Sequence, residues 1–268
     1  MKKILGLVGV ALLVAGPAFA ADMAVKAPVR PMAAPAYNWT GCYVGGFVGG
    51  AGGSNVSASE AASQGGRFPA GTFYNAPAGA SYSYRTDASF IGGGTLGCNW
   101  QVPGSAFVLG LEGEIGYIHS SATVLDPNSV TTGVRDTFDS TTVGDWYGVI
   151  GPRVGLAAGP ALFYAKGGAA FTRVSSSVID SCTTGTCGGG TLNATGSNTN
   201  VGWAVGGGVE YWIAPQWTIK GEYLFLGGIN QNYSVCGAGG GTAAGSTFCS
   251  NHSAGGISTG KLGLNFHF

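Results

Sequence analysis

Apolar residues recur at every second position through long stretches of this chain. In 107–118, FVLGLEGEIGYI, Phe107, Leu109, Leu111, Ile115 and Tyr117 share one face, against Val108, Gly110, Glu112, Glu114, Gly116 and Ile118 on the other. In 217–225, WTIKGEYLF, Trp217, Ile219, Tyr223 and Phe225 oppose Thr218, Lys220, Glu222 and Leu224. In 203–212, Trp203, Val205, Val209 and Tyr211 oppose Ala204, Gly206, Gly208, Glu210 and Trp212. A period of two marks a strand with two unlike faces. The same reading predicts eight strands, at 41–51, 87–100, 105–118, 144–157, 161–174, 200–213, 216–227 and 257–268.

Short and long connections alternate between these segments. Three are tight, at 101–105 (QVPGS), 157–161 (AAGPA) and 213–217 (IAPQW), each with Pro or Gly at the bend. Four are long and polar, at 52–86, 119–143, 175–199 and 228–256. An up-and-down membrane barrel has short turns at one rim and long loops at the other. The strand lengths suit a tilted crossing, which takes about 9–11 residues. A soluble sandwich also alternates, but its polar face would carry more Lys, Glu and Thr than Gly. The fold predicted for 37–268 is therefore all-β, an eight-stranded antiparallel up-and-down transmembrane β-barrel. The alternation runs through KLGLNFHF to Phe268, so the last strand is expected to close against the first, with its apolar face toward lipid. Aromatics near strand ends are expected to form two interfacial girdles, Trp39, Tyr43, Trp100, Phe107, Phe163, Trp212, Trp217 and Phe266 at the short-turn rim and Tyr82, Tyr84, Tyr117, Trp146, Phe171 and Phe225 at the other.

Composition supports a solvent that is partly not water. Gly supplies 51 of 268 residues, only 9% are charged, and mean hydropathy is +0.24. The first 20 residues hold Lys2 and Lys3, an apolar run from Ile4 to Ala15, the breaker Gly16-Pro17 and the small-residue site Ala18-Phe19-Ala20. That is a secretory signal peptide, with cleavage expected after Ala20. Residues 21–36 are Ala- and Pro-rich and are expected to be an extended periplasmic segment. The implied location is the bacterial outer membrane. A net charge of zero argues against nucleic-acid binding.

Six cysteines in an exported chain suggest disulfides. Cys182 and Cys187 bracket TTGT, and Cys236 and Cys249 bracket a Gly-rich stretch. These are local pairs, which leaves Cys42 with Cys98 on adjacent strands. A zinc site is the competing reading, but no His stands at ligand spacing from any of them. GGGTLG, Gly92 to Gly97, matches a dinucleotide fingerprint but lies within a strand rather than at the start of a helix. No cofactor or metal is expected. His252 reads as loop and His267 as lumen-facing near the rim.

The inward parity gathers charge. Glu112, Glu114, Arg153, Lys166, Glu210, Lys220, Glu222 and Lys261 all fall on that face, and their signs balance. An eight-stranded barrel has an interior only wide enough for side chains to fill. Isolated charges there would be costly, so a paired network that plugs the bore is expected. The opposing consideration is the number of inward glycines, whose room could admit water and small ions.

The leader followed by ADMAVKAPVRPMAAPAYNWTGCYVGG, the stretch VGWAVGGGVEYWIAPQWTIKGEYLF and the end STGKLGLNFHF together resemble a known family. They are similar to the small eight-stranded outer-membrane barrels of α-proteobacteria, the porin-family or outer-membrane immunogenic proteins. The resemblance spans the whole chain. It implies that Leu262, Leu264, Phe266 and Phe268 are read by the barrel-assembly machinery. Cys42 departs from the pattern, since the family usually has an aromatic there. The function expected is structural and surface-exposed, in contact with outer-membrane lipid, with loops presenting an antigen or a contact surface to a host or neighbouring cell. The alternative is a narrow porin for ions or small solutes. An enzyme is not expected. The one candidate nucleophile–base pair is His119 with Ser121, two residues apart beyond the third predicted strand.

Overall fold

The computed structural model describes residues 37–60, 81–127, 137–181, 190–229, 233–241, 244–245 and 247–268. The predicted leader and the 21–36 segment lie outside the described residues, as do Cys182 and Cys187. Twelve strands occur among the described residues: β1 (Gly41–Ala51), β2 (Asn55–Glu60), β3 (Ser81–Arg85), β4 (Ser89–Gln101), β5 (Phe107–Leu125), β6 (Thr137–Ala158), β7 (Ala161–Ser181), β8 (Gly190–Ala214), β9 (Trp217–Gly227), β10 (Tyr233–Gly241), β11 (Thr247–Ala254) and β12 (Ile257–His267).

Eight of them close a ring. Antiparallel pairing runs β1–β4–β5–β6–β7–β8–β9–β12. The circle is completed by β12 on β1, from Tyr43↔His267 to Ala51↔Thr259. Closure leaves no unpaired edge for lipid to meet, which is the condition for strands to cross a bilayer. The alternation is carried to the end of β12, where Leu262 is 65% exposed and Lys261 only 4%. Leu111, Ile115, Ile150 and Val205 stand on the same outer wall.

The four long connections hold more structure than their polar composition suggests. Strands β5 to β8 run on past the predicted ends, to Leu125 and Ser181 and from Thr137 and Gly190. Strands β2, β3, β10 and β11 extend this upper sheet in the order β3-β2-β11-β10-β8-β7-β6-β5. The reason is visible in TRVSSSVID. Val174, Ser176, Val178 and Asp180 point inward and are buried, while Arg173, Ser175, Ser177 and Ile179 alternate outward. Val, Ile and Thr favour strands, and Ser costs little on a solvated face. Leu192, Ala194, Val235 and Phe248 bury against the valines, so the extracellular layer has its own core.

The two layers meet at a bulge in β6, between Val143 and Tyr147. Gly144 has φ 130 there and Asp145 φ 70, both left-handed. Gly is required at the first of these, since a Cβ would lie 1.9 Å from the Ile118 carbonyl. Across the seam, Asp87 N–H donates to the Ser121 carbonyl at 3.0 Å and Ser120 Oγ to the Asp87 carbonyl at 2.7 Å.

Candidate functional site: the lumen and its mouths

Charged side chains from six strands meet inside the ring. Glu112 and Glu114 come from β5, Arg153 from β6, Lys166 from β7, Glu210 from β8, Lys220 and Glu222 from β9 and Lys261 from β12, and all are buried. Lys166 Nζ lies 2.7 Å from Glu112, 2.6 Å from Glu114 and 2.9 Å from Glu222. Lys261 Nζ stands 2.6 Å from Glu114 and 2.7 Å from Glu222. Lys220 is looser, 3.5 Å from Glu112 and 4.0 Å from Glu222. Arg153 reaches Glu112 at 3.0 Å and Glu210 at 2.8 Å. Every one of the eight charges therefore has an opposite partner, which is what makes their burial tolerable.

Glu112, Glu114 and Glu222 bring carboxylate oxygens within 4.8 Å of one another, a spacing that suits a cation. The Lys166 ammonium fills that role, since it touches all three.

Aromatic rings enclose the charges, and sequence reasoning did not assign them there. The Tyr43 hydroxyl donates to Glu112 and accepts from Arg153. Tyr164 donates to Glu222 at 2.8 Å. The Arg153 guanidinium lies 4.1 Å from the centre of the Tyr164 ring, and Lys261 Nζ 4.9 Å from that of Phe47. Cation–π contact of this kind is stronger when desolvated. The rings occupy the room that inward glycines leave. A Cβ on Gly97 would stand 2.4 Å from the Tyr43 hydroxyl, and one on Gly116 2.8 Å from the Tyr147 ring. Much of the space that the glycines offered to water is thus taken by side chains from neighbouring strands. Parity was the available signal, since Tyr43 and Phe47 share the face of Gly45 and Gly49.

The short-turn mouth is stoppered rather than girdled at three positions. Trp39 and Tyr43 are fully buried and Trp212 is half-buried. Their rings pack around His267, with Trp212 centred 4.5 Å from it, Tyr43 5.2 Å and Trp39, edge-on, 6.1 Å. Trp39 is tied in place by its backbone N–H, which donates to Gln101 Oε1 at 3.1 Å. Glu210 closes the layer from above, accepting from Asn265 at 2.7 Å and lying 3.3 Å from His267. Trp100, Phe107, Phe163 and Trp217 do face outward at this rim, and Tyr117 and Trp146 do so at the other, where Trp203, not among the expected residues, faces outward as well.

A second buried polar group lies above the membrane, inside the extracellular layer. His252 sits on β11, not in a loop, and Nδ1 is 3.7 Å from Asp139 Oδ2. Tyr82 donates to Asp139 at 2.8 Å, and Tyr84 shares a hydrogen bond with Thr141 at 2.7 Å. These two tyrosines therefore turn inward and belong to no girdle. Burial pushes the Asp139 carboxyl up from 3.8 to about 6, against the hydrogen bonds from the tyrosines. Burial also lowers the His252 imidazole from 6.5 to about 4.

Covalent links join β1 to β4 through Cys42–Cys98 and β10 to β11 through Cys236–Cys249. His119 Nδ1 lies 3.0 Å from Asp145 on the exposed surface, and among the described residues no hydrogen bond joins it to Ser121.

Comparison with known proteins accords with this architecture. The model of the outer membrane protein beta-barrel domain matches residues 9–245. The 31 kDa outer-membrane immunogenic protein of Brucella melitensis is 32% identical over 234 residues, covering 84% of this chain and 86% of its own. The protein of the same name from Brucella suis matches to the same extent. Among solved structures, the outer membrane protease OmpT from Escherichia coli aligns with a TM-score of 0.45 at 9% identity, covering 88% of this chain and 100% of its own. Ail, the attachment invasion locus protein of Yersinia pestis, aligns at 0.36 and 12% identity, covering 85% and 99%. On the family match and the curated relatives, this chain belongs to the outer membrane protein beta-barrel domain family.

Proposed function

We propose that this outer-membrane barrel is closed, and that its role is structural and surface-directed rather than conductive or catalytic. One observation carries the reading: the eight buried charges form a continuous set of ion pairs from wall to wall, with Trp39 and Trp212 beneath them. A hydrated ion would have to separate those pairs and pass an aromatic layer. The outer wall contacts lipid, and the extracellular layer presents the surface on which a ligand of a host or neighbouring cell would act. The two Brucella relatives are named immunogenic, which supports surface display. Reading of β12 by the barrel-assembly machinery belongs to the same proposal. Catalysis by His119 and Ser121 is left out because, among the described residues, no hydrogen bond joins the candidate base to the candidate nucleophile.

The test is a planar-bilayer recording of the refolded protein. No steady openings are expected from the wild type. Steady channels of large conductance would establish a narrow porin instead. Ser121→Ala is expected to leave any lipid A processing unchanged.

A further inference from the structure

The outer face of β6, β7 and β8 changes character along one line. Phe171 pairs with Val201, and both point to the lipid side. One rung higher Arg173 pairs with Thr199, exposed. Above that stand two rungs of three hydroxyls, Thr142–Ser175–Ser197 and Ser140–Ser177–Thr195. Adjacent strands are about 4.8 Å apart and same-face neighbours about 6.8 Å, so the six hydroxyls form a flat grid. They line a shallow groove of ≈ 420 Å³. Phe138 and Ile179 pair at its upper edge and are 46% and 41% exposed.

Charge on these strands is sorted. Asp126, Asp139 and Asp180 are buried inside the layer, so they do not reach the grid. Asp145, the exposed acid on β6, is held by His119 at 3.0 Å. Arg173 lies at the membrane-side edge, exposed, and donates through one guanidinium nitrogen to Ser197 at 3.2 Å.

We propose that this panel binds the phosphorylated sugar head of an outer-leaflet glycolipid. Each part of the panel matches a part of that head. Hydroxyls that donate and accept meet sugar hydroxyls, which do the same. The exposed Phe138 ring offers an apolar face to a pyranose ring. Arg173 provides a fork for phosphate at the level where the acyl chains end. The source is a membrane glycolipid rather than a free sugar, because Arg173 stands one rung and the grid two rungs above lipid-facing Phe171 and Val201, continuing the wall that lipid already covers.

The experiment uses the full chain in nanodiscs of phosphatidylglycerol, with or without rough lipopolysaccharide, and reads the midpoint of heat-modifiable migration. Lipopolysaccharide is expected to raise the wild-type midpoint by about 5 °C, as binding to the folded form alone must. Arg173→Ala and the double variant Ser175→Ala/Ser197→Ala are expected to lose at least half of that rise. A far-side control, Ser57→Ala/Ser253→Ala, is expected to keep it. Dephosphorylated lipopolysaccharide gives a second reading on the unaltered protein and is expected to produce a smaller rise. The proposal is overturned by an unshifted wild type, by a full rise in both panel variants, by an equal loss in the control, or by indifference to dephosphorylation.

Discussion

Arg153 and Glu210 meet at 2.8 Å although β7 lies between their strands. The pair joins β6 to β8 over the intervening strand, and the other arm of Arg153 holds Glu112 on β5 at 3.0 Å. One guanidinium thus ties three strands that are not all neighbours. Arg153→Ala removes the guanidinium from Glu210, which keeps its contacts to Asn265 and His267, and one of the cations from Glu112, while leaving both carboxylates buried. The expected loss is about 3–5 kcal/mol of stability, read from the denaturant midpoint of the refolded barrel. Arg153→Lys keeps the charge without the fork and is expected to recover only part of it. An unchanged midpoint in Arg153→Ala would refute the network's structural role.

The inward glycines lead to a sharper contrast. Gly97→Ala places a Cβ 2.4 Å from the Tyr43 hydroxyl, whereas Gly113→Ala, on the lipid side, meets nothing nearer than 3.9 Å. The first is expected to cost about 1–3 kcal/mol through overpacking. The second is expected to leave the midpoint in place. Equal effects would mean that Tyr43 does not fill that space.

Two disulfides differ in the length of chain they close. Cys42–Cys98 spans 56 residues and Cys236–Cys249 spans 13. On the chain-entropy argument, both Cys→Ser double variants lose stability, about 2–4 kcal/mol, and the longer loop loses more. A non-reducing peptide map is expected to recover these two links and Cys182–Cys187 as a third. Any crossed pairing would contradict the assignment.

The extracellular His252–Asp139 pair predicts opposed pH responses. Asp139 has a raised folded value, from 3.8 to about 6, so its contribution is full below 3.8 and is lost as pH climbs through 6. His252 has a lowered folded value, from 6.5 to about 4, so its contribution is full above 6.5 and is lost as pH falls through 4. Over that shared window the two largely cancel in the wild type. Asp139→Asn leaves the histidine alone, and stability is expected to rise with pH across the window. His252→Gln leaves the aspartate, and stability is expected to fall with pH. Thermal melts at half-unit pH steps read both slopes, and slopes of the same sign in the two variants would reject the account.

Much of the barrel was legible in the chain because a period of two is a local property. It needs no knowledge of neighbours to place Glu112 and Lys261 on one face and Leu111 and Leu262 on the other. Tight turns at 101–105, 157–161 and 213–217 are local too, since Pro and Gly carry their own dihedral preferences. The extracellular strands were less legible. TRVSSSVID and its partners form strands only because Leu192, Ala194, Val235 and Phe248 arrive from other segments to cover Val174 and Val178, and a Ser-rich stretch has little propensity of its own. The same limit applies inside the bore. Sequence position says that Tyr43 and Trp39 are near a rim, but only the register of β1 on β4 puts Gly97 beside Tyr43, and only the ring closure puts His267 beside Trp39. Which carboxylate each cation chooses, and the two rungs of hydroxyls on β6 to β8, follow from strand register. Register belongs to pairs of strands distant in sequence, so it is set when the sheet closes and not by any one segment.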